Sequence, residues 1–410
     1  MALLVLKRAY PRGAGLSAAC PHGRRTSPTS IAGYGLRRAR ASGSARPAWF
    51  GYNTATHTLI SLELRGPMPK YRCLMVGAGG MAGNWIRRFF RPFADRLEIV
   101  ALVDVNREVL DSVADELGLP PTRRFTDMRA AFETVEADFC GIAIPPTFHR
   151  DAAVLAAARG LHILSEKPIA DTWNACIDIY RAVKRAGVKM QVIQNYRYEA
   201  PMLTFRQVLR EERLGRLNYL IGRFAADYRV YGSWGRAFRH EIPHALLIEG
   251  GVHHLDMIRN LSGSNCRFIA GWEWNPAWST SKGEFNDLYV MEMVNGVHAA
   301  YEGSGTAAGL QNTWHCEYYR AECEEGTLVI DADRTVRIYQ WTPGRGLRME
   351  EVPPVRVPYE GHTWLVNAFL DWLDGGPAPE TPWTTICRAW RWFSRPSRRH
   401  ARRRLLMSRR

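Results

Sequence analysis

Long hydrophobic runs are absent from this 410-residue sequence: no stretch of about 18 apolar residues occurs, which excludes a membrane-spanning helix. Paired cysteines are also absent. The eight cysteines, at positions 20, 73, 140, 176, 266, 316, 323 and 387, form no CxxC motif, and several lie inside apolar runs. This pattern favours reduced, buried thiols in a cytoplasmic protein over a disulfide framework.

Acidic residues are scarce at both ends of the chain. Residues 1–70 contain 11 Lys or Arg and a single acid, Glu63, and residues 387–410 contain 10 Arg and no acid. The remaining 34 basic and 39 acidic residues give residues 71–386 a net charge of −5, although the whole chain carries +15. The positive charge therefore belongs to the ends, and the globular part predicts no nucleic-acid partner.

The first 69 residues are rich in Arg, Ser, Gly, Pro and Ala and show no helix or strand period. Three interpretations are open: a mitochondrial transit peptide, a disordered segment, or upstream DNA translated in error before a true start at Met68. We favour the third. The Arg-rich tail, residues 387–410, has a similar composition, as if the frame had slipped near Cys387.

The segment from Tyr71 to Asp104 predicts a strand, a tight turn, a helix and a second strand. An apolar run, Tyr71–Val76, stops at the glycine-rich turn 77–83, and a helical stripe follows. A second apolar run, Ile99–Val103, ends on Asp104. This order of elements is typical of a dinucleotide-binding fold and is more specific than the glycines alone.

The residue types of this turn suit a pyrophosphate. Gly77 permits the tight turn, Gly79 lets the backbone approach the phosphates, and the small Ala82 lets the helix pack on the strand. We expect Asp104 to accept the ribose hydroxyls, which favours NAD, although Arg107 leaves NADP open. The predicted phosphate-binding residues are Gly77, Gly79, Gly80, Met81 and Ala82.

Helices and buried strands alternate as far as residue 193, which predicts an α/β domain with a doubly wound parallel sheet over 70–193. Its ligand edge lies at the carboxyl ends of the strands.

Lys167 follows a buried strand at this edge, and Pro168 disfavours a helical conformation for it. Such a lysine suits proton chemistry. The other residues expected near the coenzyme at this edge are Pro145, Thr147, His149, Glu166 and Asn195.

Residues 194–386 predict an α+β domain, because strand-like runs follow one another without helices between them, which indicates an open antiparallel sheet. One helical stretch, Ala245–Leu261, interrupts the strands. Glu249 and His253 lie four residues apart and therefore share a helical face, where both can meet a substrate. For His254 a structural role is the better interpretation.

One segment matches a zinc-protease motif in residue spacing but not in the helix that the motif requires. His240-Glu241-Ile242-Pro243-His244 matches HExxH, but Pro243 lies inside the helix that such a site requires. We therefore predict no metal. Three tryptophans at 272, 274 and 278 are interpreted first as sheet packing, with sugar stacking as the weaker alternative.

From Met68 to Thr385 the chain resembles the glucose-fructose oxidoreductase, inositol dehydrogenase and MocA family. The likeness rests on the glycine turn, on Glu166-Lys167-Pro168, and on the run from Glu249 to Asp256. It implies a Rossmann domain, a second domain whose sheet binds substrate and often forms the oligomer contact, and NAD(P)-dependent dehydrogenation of sugars, cyclitols or polyols.

The resemblance also implies a catalytic set, which falls on Lys167, Glu249 and His253. The acid is more often Asp in the family, so Glu249 is a departure. The implied mechanism has His253 take the hydroxyl proton while Lys167 stabilises the oxygen. Candidate substrate contacts are Arg197, Tyr198 and Arg239. Two alternatives stay open: a catalytically silent dinucleotide-binding regulator or scaffold, and a glycosidase that uses NAD for transient oxidation.

Overall fold

The computed structural model describes residues 70–235 and 237–381. The predictions for the first 69 residues and for the tail after residue 387 lie outside these ranges. Cys20 and Cys387 do so as well. In the described part no helix is long and apolar enough to cross a membrane, and its six cysteines are free thiols.

The first sheet is parallel throughout, as predicted, and has the strand order β3-β2-β1-β4-β5-β6. Its strands are β1 Tyr71–Val76, β2 Leu97–Val103, β3 Arg124–Phe125, β4 Phe139–Ile142, β5 His162–Ser165 and β6 Met190–Val192. The helices between them are α1 Gly80–Asn84, α2 Arg107–Glu116, α3 Met128–Thr134, α4 His149–Ala158 and α5 Trp173–Ala186. The order reverses between β1 and β4, where a doubly wound sheet opens its ligand crevice.

Local signals in the sequence set the ends of these helices. The Asn106 side chain accepts a hydrogen bond from Val109 N at 3.1 Å and caps α2. Thr172 caps α5 in the same way through Ala175 N, and α5 ends at Gly187, whose φ is +68°. The short strand β3 was not predicted, because two residues carry no periodicity.

The second sheet has eight strands in the order β14-β13-β12-β11-β7-β10-β9-β8. They are β7 Leu217–Ala225, β8 Cys266–Trp274, β9 Asn286–Met293, β10 His298–Ser304, β11 Tyr318–Cys323, β12 Gly326–Ile330, β13 Val336–Thr342 and β14 Gly346–Val352. The sheet is antiparallel except for one pair, β10 with β7. The predicted antiparallel sheet is therefore a mixed one, because the chain crosses over between β7 and β8.

Three further helices complete the described fold: α6 Ala200–Arg210, α7 Val252–Leu261 and α8 Gly361–Leu373. Helix α7 covers one face of the second sheet, where Ile258 lies against Gly222. Helix α8 follows the second sheet in sequence but packs on the first domain: Leu365, Phe369 and Leu370 are buried in the same core as β1 residues Cys73 and Met75. The described chain thus returns to the first domain after the second sheet.

Candidate active site

The glycine turn joins β1 to α1 and leaves no room for a side chain at Gly77. Gly77 has a φ of +108°, and a Cβ there would lie 2.4 Å from the carbonyl oxygen of Ala143. Gly80 opens α1 with a φ of +52°. Ala82 is fully buried, whereas Met81 is exposed. The turn therefore requires glycine for its conformation and for its close approach to the next strand end.

Asp104 lies at the turn, as its position after β2 predicts. Its Oδ2 accepts hydrogen bonds from Ala78 N at 2.9 Å and from Gly79 N at 3.3 Å. Arg107 is exposed, and its Nε donates to Asp111 at 2.7 Å. The glycine backbone, the start of α1 and this carboxylate together fit the pyrophosphate and ribose of a dinucleotide.

His149 connects two strand ends. It is fully buried, and Nδ1 lies 2.8 Å from Pro168 O while Nε2 lies 2.8 Å from Ile144 O. Burial lowers the pKa of this histidine. Both ring nitrogens face backbone carbonyls and the neutral ring donates to one of them, so His149 packs between the turns after β4 and β5. Pro145 and Thr147 are exposed in the first of these turns, and Asn195 is buried in the turn after β6.

Lys167 and Glu249 meet between the two domains. Lys167 Nζ donates to the backbone oxygen of Glu249 at 3.0 Å and lies 3.7 Å from its carboxylate Oε2. Arg239 Nε donates to the same Oε2 at 2.9 Å. Burial alone would raise the pKa of Glu249, but the charges of Lys167 and Arg239 outweigh it and lower the pKa. The carboxylate is therefore ionised and contacts both cations.

His253 lies one helical turn beyond Glu249. Burial and the charge of Lys167 hold the pKa of His253 well below its usual range, so its imidazole is neutral. Its ring stacks on Tyr196 with centroids 4.3 Å apart and an interplanar angle of 9°. Nδ1 is buried without a hydrogen-bond partner among the described residues. Stacking rather than a carboxylate therefore orients this ring. The sequence placed Tyr196 after a strand at the ligand edge but did not indicate this contact with His253.

Two of the predicted substrate contacts have protein partners instead. Arg197 is buried, and Nε and Nη2 both donate to Asp256 on α7 at 2.5 Å. Tyr198 is also buried and stacks on Trp364 at 5.5 Å. These positions favour structural roles for both side chains. Arg239, with 30% of its side chain exposed, is the one of the three that lies beside Glu249.

Both π-helical turns of the described chain adjoin this site. Trp85–Phe89 continues α1, and Leu247–Gly251 precedes α7. Such turns are rare and occur often at functional sites. The first places Trp85 Nε1 2.9 Å from Glu166 Oε1, and the second carries Glu249.

Three other histidines, His240, His244 and His254, have partners of their own. His254 Nδ1 lies 2.7 Å from Tyr301 Oη in the core, as expected for a structural histidine. In the HExxH-like run the two histidines do not converge on one point. His240 Nδ1 lies 2.7 Å from Ser281 Oγ, whereas His244 Nδ1 lies 2.8 Å from Glu273.

Comparisons with known proteins agree with the fold. A family profile described as "Oxidoreductase family, NAD-binding Rossmann fold" (GFO_IDH_MocA) matches residues 71–194. The "uncharacterized protein y4oX" of Sinorhizobium fredii is 40% identical over 326 residues, which cover 76% of this chain and 88% of that protein. A D-apiose dehydrogenase of Paraburkholderia graminis is 25% identical over 320 residues, covering 76% and 83%.

A solved structure has a similar fold. It is an oxidoreductase from Agrobacterium radiobacter in complex with NAD+, L-tartaric acid and magnesium. Its TM-score is 0.68 at 19% identity, and the match covers 78% of this chain and 93% of that one. The likeness therefore extends over both domains.

Proposed function

Because this chain belongs to the GFO/IDH/MocA oxidoreductase family, we propose that it is an NAD-dependent dehydrogenase of a sugar, cyclitol or related polyol. One observation carries the proposal: the Lys167 ammonium of the first domain contacts Glu249, one helical turn from the neutral imidazole of His253. An amine and an imidazole at the ligand edge of a dinucleotide fold suit the oxidation of an alcohol. The similarity to a D-apiose dehydrogenase supports a sugar-like substrate.

The coenzyme contacts follow from the glycine turn. When bound, NAD supplies the hydride acceptor. The glycine turn, Gly77–Ala82, would hold the pyrophosphate through the N–H groups that Asp104 leaves free, and the Asp104 carboxylate would accept the adenosine ribose hydroxyls. Arg107 is exposed and pairs with Asp111, whereas the Asp104 carboxylate at the turn would repel a 2′-phosphate. NAD is therefore preferred over NADP.

His253 accepts the proton of the substrate hydroxyl, because its neutral form is the one present at neutral pH. Lys167 donates a hydrogen bond to the same oxygen and stabilises its developing negative charge. Glu249 positions the Lys167 ammonium and not the imidazole, since its carboxylate lies against Lys167 and Arg239. Arg239 is the proposed substrate contact.

A homo-oligomer through the second sheet is part of the same proposal. The face of this sheet that is turned away from α7 exposes large apolar side chains over several strands: Phe268, Trp272, Leu288, Val290, Trp341 and Met349. Exposed apolar patches of this kind mark association surfaces. A cytoplasmic location is supported by the six free cysteines.

The test is a spectrophotometric screen of sugars, cyclitols and sugar acids with NAD and with NADP. We expect reduction of NAD at 340 nm with at least one of these polyols. NAD binding without reduction on any of them would favour the regulator instead. Release of free sugar from an aryl glycoside with no net NADH would favour the glycosidase.

A further inference from the structure

The Glu166 carboxylate lies buried beside Lys167 and has its own set of donors. It is 5% exposed. Oε1 accepts a hydrogen bond from Trp85 Nε1 at 2.9 Å, and Oε2 accepts one from the backbone N of Lys167 at 3.1 Å. A buried carboxylate is costly unless donors surround it, so these contacts decide how Glu166 is oriented.

A further donor comes from the far end of the described chain. His362, in the first turn of α8, places Nε2 3.2 Å from Glu166 Oε1. Its ring stacks on Phe89 with centroids 4.4 Å apart and an interplanar angle of 6°. Only 12% of the His362 side chain is exposed. Stacking thus fixes the plane of the ring, and the plane directs Nε2 at the carboxylate.

Helix α8 is itself held in a fixed position on the coenzyme domain. Gln191 Nε2 of β6 donates to Leu365 O at 3.2 Å, and Arg96 forms an ion pair with Asp374 at 2.7 Å. Gly361 lies next to Asn195. The residues that begin α8 therefore border the ends of the same strands that carry Lys167 and Asn195.

The pKa of the Glu166 carboxyl group depends on these partners. Burial alone would raise its pKa, but the hydrogen bond from His362, the charge of Lys167 and the Trp85 indole outweigh burial and lower the pKa. His362 is the first of these opposing groups in size. Glu166 is accordingly ionised and able to accept hydrogen bonds from a ligand next to Lys167.

We propose that His362 is a positioning residue for coenzyme binding: it holds the Glu166 carboxylate in the orientation that receives NAD. Helix α8, although it follows the second sheet, thereby completes the coenzyme site. The inference rests on the proposed function and on the sequence-based expectation that Glu166 lies near the coenzyme. Helix α8 would then be the third region of the chain that forms the coenzyme site, beside the glycine turn and the strand ends.

The test compares two variants of the full-length protein, His362→Leu and His362→Gln. Leucine removes the donor and keeps an apolar side chain against Phe89, whereas glutamine keeps an N–H donor. We expect the dissociation constant for NAD, measured by isothermal titration calorimetry, to rise about tenfold for leucine, as for the loss of a hydrogen bond to a charged group. We expect the dissociation constant of the His362→Gln variant to lie within about threefold of the wild-type value.

Thermal unfolding separates positioning from packing. The proposal requires that the glutamine variant bind NAD better than the leucine variant when their Tm values agree within a few degrees. Trp85→Phe, which removes the other donor to Oε1, should weaken NAD binding to a similar degree. Unchanged NAD affinity in the leucine variant, or equal loss in both variants, overturns the role of His362. A wild-type protein that does not bind NAD instead overturns the proposed function.

Discussion

The coenzyme half and the substrate half of this site are built in different ways. The coenzyme half is a continuous stretch of backbone, in which Gly77, Gly80 and Asp104 follow one another within two strands and the turn and helical segment between them. The substrate half is a set of side chains that meet only after folding, since Lys167 and Glu249 are separated by 82 positions. Substitutions in the first half should therefore affect the fold and NAD affinity, and substitutions in the second should affect turnover.

The largest separation of these effects is expected at Lys167. Lys167→Ala removes the proposed donor to the reacting oxygen, so turnover should fall by at least ~10²-fold while NAD affinity stays nearly unchanged. Steady-state rates at 340 nm and NAD titration measure the two quantities. Lys184→Ala, on the exposed face of α5, serves as the control and should match wild type. Full activity of the alanine variant at 167 would end its catalytic assignment.

Gly77→Ala tests the opposite half. A Cβ at Gly77 would lie 2.4 Å from Ala143 O at a φ of +108°, so the turn must shift. We expect the free energy of unfolding to fall by at least ~2 kcal/mol, together with NAD affinity. Gly118→Ala is the matched control: its φ is +66° and nothing lies within 4 Å of the added Cβ. It should cost about 1 kcal/mol and leave NAD affinity unchanged. Equal effects of the two substitutions on NAD binding would contradict this account of the turn.

Tyr196 tests whether stacking orients the base. Tyr196→Leu removes the aromatic face against His253, and we expect turnover to fall about tenfold, because a misoriented base loses much of its contribution. Tyr196→Phe keeps the ring and should retain most of the activity. Measurement of kcat for both variants, with Tm as the check on folding, shows whether the aromatic ring is what orients His253. A phenylalanine variant as slow as the leucine variant would assign the effect to the hydroxyl instead.

The smallest effect is expected at Arg107. This side chain is 61% exposed and pairs with Asp111 at 2.7 Å, and exposed pairs contribute little. Arg107→Ala should change the dissociation constant for NAD by no more than about twofold. The preference for NAD over NADP, measured as the ratio of kcat/KM values, should also persist. A large loss of NADP activity alone would show that Arg107 binds a 2′-phosphate.

The sequence was sufficient for the part of the fold that depends on local pattern. The parallel sheet, the glycine turn and the place of Asp104 at the end of β2 follow from apolar runs and from the conformational demands of glycine. The second sheet was predicted as antiparallel, and its single parallel pair was missed, because strand order depends on the crossover between β7 and β8 and not on any residue type.

The side-chain partners could not be predicted in this way. Arg197 was a candidate substrate contact, yet it pairs with Asp256, 59 positions away. His362 lies 196 positions from Glu166, and no period or spacing connects them. For Tyr196 the sequence indicated only a position after a strand and no contact with His253. Such pairings arise when α7 and α8 dock on the strand ends, and packing between distant segments leaves no local signal.

Isotope transfer to the coenzyme tests the central claim most directly. A polyol found in the screen is deuterated at the carbon that bears the reacting hydroxyl, and the nicotinamide product is analysed by mass spectrometry after one turnover. The account predicts one deuterium in each molecule of reduced NAD formed. Turnover of the polyol with no deuterium in the coenzyme would contradict hydride transfer at this site.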